Sequence, residues 1–305
     1  MTPSSPRRAK RVGWGKHTRN EKRILRLTSI TALARTINPR LRTHQFHLAV
    51  ATLGGLIVLA LEVERTGSMS DAVRPALNAG VTVFLAWAIA REIDPDESRT
   101  ANLAAVLAVG GRLLTGPGHL AALVMLLLAT RIVLRSTGLA PTVLDCFVFL
   151  PLAAFIAGQS VTGWMAALVV AYAVARDHRL PEPAGPRSLI AAFVISATAS
   201  AGVIATGAFE SGWLSPEALP LGLFSAGLVA GLALPGYVPM SKTDYTGEML
   251  DFFRLRSARW ILLGGSLPTV VVAGGPAVAG LSAVWAVLVA ATLIARRLVP
   301  AFGPA

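Results

Sequence analysis

A chain of 305 residues that is 54% hydrophobic and only 14% charged is too apolar for a water-solvated globule, in which about 25% of residues are charged. The mean hydropathy of +0.61 places that excess in lipid, so length cannot be converted into a number of soluble domains. The net charge of +12 is uneven: residues 1–43 hold twelve Lys/Arg against one acid, Glu21, while the other sixteen Lys/Arg nearly balance fifteen Asp/Glu.

Residues 1–43 therefore read as a basic cytoplasmic tail. Thr18 and Glu21 have capping-box spacing. Ile24, Leu27, Ile30, Ala34 and Ile37 recur at helical intervals with Arg23, Arg26 and Arg35 among them, which predicts an amphipathic helix over about 19–37, stopped by "NPR" at 38–40. Such a helix ahead of an apolar run is expected to lie on anionic lipid; a bare orientation signal is the plainer alternative. The tail carries no nucleic-acid reader motif, so nucleic acid is not an expected partner. The first apolar run begins near residue 46, too late for a secretory signal peptide. An Arg-rich, acid-poor leader keeps an organellar membrane as the alternative to the plasma (inner) membrane.

From there apolar runs follow at roughly 46–62, 75–90, 98–114, 120–134, 141–158, 161–175, 188–209, 217–238, 258–273 and 278–295. A bilayer crossing needs about 20 apolar residues, so the shorter runs imply tilt or a re-entrant hairpin, at the third and fourth or the fifth and sixth. The expected fold is an all-α polytopic bundle of about ten transmembrane helices over 44–299, with a short tail at 300–305. Alternate connections are rich in arginine: Arg91 and Arg99; Arg131 and Arg135; Arg176, Arg179 and Arg187; Lys242, Arg254, Arg256 and Arg259; and finally Arg296 and Arg297. Those between, "TGPGH", "GQS", "ESGWLSPE" and "AGGPAVAG", have neither Lys nor Arg; only Arg65 and Arg74 break the pattern. The positive-inside rule then puts both termini in the cytoplasm. Trp87, Trp164, Trp213 and Trp260 fall near span ends, where indoles favour the headgroup boundary.

His44 and His47, three apart at the start of the first span, read as a wet interfacial pair, because a zinc site needs more ligands than the sequence supplies. The second run exits on "AWAIARE" at 86–92, repeated as "AYAVARD" at 171–177. Next comes "REIDPDESRT", residues 91–100. Asp94 precedes Pro95 and reads as a helix cap with Pro95 first in the helix. Glu97 has the spacing to reach back to the cap, and Asp96 adds negative charge to the positive helix end. "SPE" at 215–217 repeats the pattern, with Ser215 as cap. The sharper reading joins Asp94, Asp96 and Glu97 to Asp244 and Glu248 of "SKTDYTGEMLD", 241–251, as a catalytic acidic face. Asp94, Asp96, Asp244 and Glu248 would there bind Mg2+ and a pyrophosphate. The plainer reading of 241–251 is an interfacial helix.

Ionisable residues at membrane depth count as functional candidates. Arg112 lies in the outer half of the third span, either snorkelling outwards or lining a cavity that admits an anion. Arg131 and Asp145 lie about 6 Å inside the fourth and fifth spans from the same side, which predicts an ion pair between consecutive helices. Cys146, the single cysteine, excludes an intrachain disulfide. Pro151 and "GGSLP", Gly264 to Pro268, are expected to open backbone groups onto a cavity, as at transporter sites. Ser196, Ala199, Ser200 and Gly202, with Gly227 and Gly231, mark close helix packing. His119 and His178 are lone loop histidines.

Three functions follow as expectations. A small-solute or ion carrier leads, with Arg112, Arg131, Asp145, Pro151 and Pro268 along its path. A lipid-phosphate or prenyl-type enzyme with the acidic cytoplasmic site is second. A scaffold or accessory subunit docking through its tail is third.

Overall fold

The computed structural model describes residues 31, 33, 42–182, 185, 187–208 and 239–298. Among them the fold is all-α. The helices are α1 (Arg42–Thr66), α2 (Met69–Ile93), α3 (Ser98–Thr115), α4 (Leu120–Leu134) and α5 (Val143–Ala157), then α6 (Val161–Asp177), α7 (Arg187–Thr206), α8 (Phe252–Ala273), the six-residue α9 (Gly275–Gly280) and α10 (Ser282–Leu298). The predicted eighth span at 217–238, with Trp213, Ser215, Pro216, Gly227 and Gly231, lies outside the described residues, as do residues 300–305 and the tail helix apart from Thr31 and Leu33.

Helices over His44–Thr66, Met69–Ile93 and Arg187–Thr206 are long and apolar enough to cross a membrane. The apolar stretches Leu120–Leu134, Phe147–Ala157 and Ser282–Ile294 are shorter. At 15 residues, α4 is about 22 Å long, against about 30 Å of hydrocarbon.

Capping sets where the helices begin. The Ser68 hydroxyl accepts from Asp71 N–H, so α2 starts six residues before the predicted 75 and takes in Pro75. Arg65 and Arg74 consequently sit on helices, and only Gly67 and Ser68 connect α1 to α2. Neither predicted break occurs: α5 runs through Pro151 and α8 through Pro268. A proline deletes one backbone bond, and packed neighbours hold the turns on either side.

Most of the helices share an alanine-rich core, and Val161, Val270, Ala273 and Ala277 form a smaller second cluster. α1 lies along α2; α3 packs on α2 and α10; α4 packs on α2, α6 and α8; and α5 packs on α6 and α7 rather than along α4. Small residues set the closest approaches, as expected for Gly202: a Cβ there would stand 2.6 Å from Ala154 O, and one on Gly80 would stand 3.1 Å from Ala51 O. Leu33 joins the core as well. The chain is not helical at Thr31 or Leu33, because the Thr31 hydroxyl accepts from Leu33 N–H at 3.1 Å, a local turn that competes with helix. The rest of the amphipathic helix predicted over 19–37 lies outside the described residues.

Candidate functional site

Hydrogen bonds gather the connections at two ends of the bundle. At one end meet 93–98, 134–143, 177–182 and 239–251. Glu92, fully buried in the last turn of α2, accepts from Arg131 Nε of α4 at 2.9 Å. One turn later Arg135, in the left-handed cap of α4, donates from Nε and Nη2 to the two oxygens of Asp177 at 3.1 and 2.8 Å. Arg254 of α8 donates to the same carboxylate at 2.6 Å and to Val133 O at 3.0 Å, and its other nitrogen reaches Pro181 O. Glu92 and Asp177 close the two copies of the repeat, "AWAIARE" and "AYAVARD". The repeat thus sets α2 and α6 against α4, each offering one acid to an arginine of α4. Neither acid was singled out in the sequence; the repeated alternation ending in Arg-acid was the signal that pointed to them.

The predicted Arg131–Asp145 ion pair does not form among the described residues, because α5 leaves α4 to pack on α6 and α7. The two side chains instead hold the same tail segment: Arg131 Nη1 donates to Leu33 O at 3.0 Å, and Asp145 accepts from the Thr31 hydroxyl. Asp145 also completes a capping box with Thr142 at the start of α5.

The acidic stretch 91–100 is divided differently from the cap predicted for it. Asp94 ends α2 and accepts from the Thr100 hydroxyl at 2.6 Å. Glu97 is the cap of α3, accepting from Arg99 N–H at 2.9 Å. Asp96 reaches across to the other acidic connection, accepting from Met240 N–H at 2.8 Å, Ser241 N–H at 2.7 Å and the Ser241 hydroxyl. That connection is a small hairpin rather than the predicted interfacial helix, with Lys242 bridged to Met249 and Leu250 N–H donating to Ser241 O. Asp244 and Tyr245 N–H donate to Ser136 O and Thr137 O, at 3.0 and 3.2 Å. Gly138, at φ +86, lies against Thr246, where a Cβ would stand 2.4 Å from the hydroxyl. Asp251 caps α8, and Glu248 stays exposed beside Thr246.

The two acidic connections therefore do meet, through the bonds of Asp96 to Met240 and Ser241. Among the described residues no three His, Cys, Asp or Glu side chains converge to hold a metal ion. Asp94, Asp96 and Glu97 turn oxygens to the chain's own donors, so this set does not fit Mg2+. What the meeting encloses is a cavity of about 130 Å³, lined by Arg91, Ser136, Ser241, Lys242 and Asp244 over Leu134 and Leu250.

At the opposite end meet 115–120, 157–161 and 273–282. His119 N–H donates to Gly280 O at 2.9 Å. Its Nδ1 accepts from Ala122 N–H at 3.3 Å, capping α4, which assigns the proton to Nε2, 2.8 Å from Ser160 Oγ. Burial lowers the His119 pKa. Gly118 pairs reciprocally with the Asn78 side chain, at 2.9 and 3.1 Å. α2 begins nine residues before Asn78, so it projects about 13 Å beyond that level. The α3–α4 turn thus stops short, at the foot of a wall made by α1 and α2.

Arg112 stands beside this turn. It continues the buried face of Ala101, Ala104, Ala105 and Ala108 and is only 7% exposed. Snorkelling into lipid is therefore not its arrangement. Its Nε is buried without a hydrogen-bond partner, and among the described residues no carboxylate pairs with it. Glu62, the acid whose field reaches it, is bonded to Arg65 at 2.8 Å. Thr82 Oγ1, Ser282 Oγ and Trp285 Nε1 are likewise buried and unpartnered. Gly111, next to Arg112, has Ser282 at contact distance, 3.5 Å from a built Cβ. The predicted wet histidine pair is different too: His47 is buried, and both rings lie on Trp87, with centroids 4.4 and 5.4 Å away.

Compared with known proteins, the chain matches no family model, no curated protein and no solved structure.

Proposed function

We propose that this chain is an integral membrane protein that carries a small anionic solute across the bilayer, with about ten spans and both termini on the cytoplasmic side of the plasma (inner) membrane. The observation that carries the reading is Arg112, only 7% exposed, whose Nε is buried without a hydrogen-bond partner and which has no paired acid among the described residues. An ionisable group held at membrane depth is costly and marks a candidate solute path. The Ser282 hydroxyl, buried and unpartnered, lies against the neighbouring Gly111, so a further hydrogen-bonding group stands near the guanidinium, whose own positive charge favours an anion. Arg131 and Asp145 serve the tail, and Pro151 and Pro268 lie within intact helices, so Arg112 is the member of the expected path on which the proposal rests.

Reconstituted into liposomes, the protein is expected to speed the entry of at least one of chloride, nitrate, sulfate or acetate above protein-free vesicles. Arg112→Gln should abolish the increase and Arg112→Lys keep part of it. Equal flux in the wild type and Arg112→Gln for every anion would sink the reading, as would no flux at all. A carboxyl-terminal tag reachable from outside intact cells would overturn the orientation alone.

A further inference from the structure

We infer that the cavity enclosed by connections 93–98, 134–143 and 239–251 is a binding site for a singly charged phosphate group. It lies at the end of the bundle opposite Arg112 and does not depend on the transport reading.

The walls are set by the chain's own bonding. Asp96 takes three donors from Met240 and Ser241, and Asp244 and Tyr245 are bonded through their backbones to Ser136 and Thr137. Arg91 is steered by its Nη1 bond to Pro95 O at 3.1 Å. Into this frame come two cations, Arg91 and Lys242. Lys242 is exposed and, among the described residues, has no carboxylate within ion-pair distance. Ser136 is 5% exposed, and its hydroxyl, buried and without a partner, is an independent sign of a missing ligand. A buried unmade hydrogen bond is a standing cost that a bound acceptor would remove.

A phosphate oxygen suits that group of donors: arginine and lysine both bind it through charge-assisted hydrogen bonds, and a hydroxyl completes the set. Asp244 fixes the charge state. With Asp96, which is bonded to Ser241 in the wall, it sets two carboxylates against the two cations, so a monoanion is accommodated and a dianion opposed. A cavity of about 130 Å³ has room for a phosphate but not for a large solute. Both dihydrogen phosphate and the phosphodiester of a lipid headgroup meet the description, and at this end of a membrane bundle the second is abundant.

The full-length protein, purified in a phosphate-free maltoside detergent, would be titrated with inorganic phosphate at constant ionic strength against chloride. In parallel it would be placed in nanodiscs of a phosphate-free glycolipid containing increasing phosphatidylglycerol. Thermal stabilisation is the readout for both. If free phosphate is the ligand, it stabilises the detergent-solubilised wild type and Lys242→Gln weakens its affinity about tenfold. If the headgroup is the ligand, phosphatidylglycerol stabilises, inorganic phosphate does not, and Lys242→Gln removes the lipid response. In either case Asp244→Asn should tighten binding several-fold. Ser136→Ala should weaken it while leaving the ligand-free protein at least as stable, because the deleted hydroxyl had no partner. A response to both probes that is identical in the wild type, Lys242→Gln and Asp244→Asn overturns the assignment, as does no response to either. Arg112→Gln should leave this binding unchanged, so loss of transport and loss of the pocket can be told apart.

Discussion

Glu92 and Arg131 form a buried ion pair, 2.9 Å from Oε1 to Nε, that ties the last turn of α2 to the last turn of α4. Glu92 is inaccessible, whereas 17% of the Arg131 side chain meets solvent. Breaking a buried pair by deleting one partner strands the other charge and costs about 3–5 kcal/mol, while replacing both with apolar groups is often near neutral. Glu92→Gln should therefore lower the unfolding temperature markedly in detergent, followed by tryptophan fluorescence. Glu92→Leu with Arg131→Met should recover most of the loss, though not the bond to Leu33 O. Asp177→Ala should cost more than Glu92→Ala, since it strands two guanidiniums, Arg135 and Arg254.

Two glycines are expected to respond in opposite directions. A Cβ on Gly163 would stand 2.1 Å from Ile156 O, a clash with backbone, whereas nothing lies within 4 Å of one on Gly110. Gly163→Ala should destabilise by about 1–3 kcal/mol, the usual range for overpacking. Gly110→Ala, inside α3, should stabilise by about 0.5–1 kcal/mol through helix propensity. Chemical denaturation of both variants in the same detergent checks the contrast; a shared sign would contradict the packing of α5 on α6.

His119 gives the fold a pH dependence. Burial lowers its pKa below the ordinary 6.5, and its Nδ1 must stay unprotonated to accept from Ala122 N–H. The unfolded chain takes up the proton first as pH falls. Its stabilising contribution is therefore complete above about pH 6.5 and is lost progressively below it. His119→Asn keeps a capping oxygen but cannot titrate, so the drop in unfolding temperature between pH 7.5 and 5.5 should be smaller in that variant than in the wild type.

Asp96 determines how firmly the hairpin 241–250 is held. Asp96→Ala would leave Met240 and Ser241 N–H without their acceptor. Cleavage after Lys242 by a lysine-specific protease should then accelerate at least several-fold while the unfolding temperature changes little. If the rate is unchanged, the hairpin is held by Ser136 and Thr137 alone.

Helices were legible because hydropathy and caps are local. The runs predicted at 98–114, 120–134 and 161–175 agree closely with α3, α4 and α6. Partner choice was not legible. Arg131 and Asp145 were paired on the premise that consecutive antiparallel helices lie side by side; α5 instead turns away to α6 and α7, and Arg131 takes Glu92. Asp94, Asp96 and Glu97 satisfied a capping pattern at every position, yet each found a different partner. Asp96 found its own 145 residues away, a separation that spacing rules do not reach. The cavity beneath the hairpin depends on that same long-range contact, so no sequence window contains it. Arg112 was visible as an anomaly, and only packing could decide between lipid and interior.

The ionic fastenings described above are unequally distributed. Glu92, Asp177 and their three arginines all lie at one end. Among the described residues, the side-chain hydrogen bonds that join the connections at the other end run through the neutral His119, Ser160, Asn78 and Gly118, and the exposed Glu62–Arg65 pair there stays within α1. Like stems bound with twine at the base, such an assembly splays from its free tips. Deuterium should enter the backbone amides around Gly118 and Gly280 long before it reaches those of Leu134 or Asp177, and raised salt, which leaves shielded charges largely unscreened, should barely change that order.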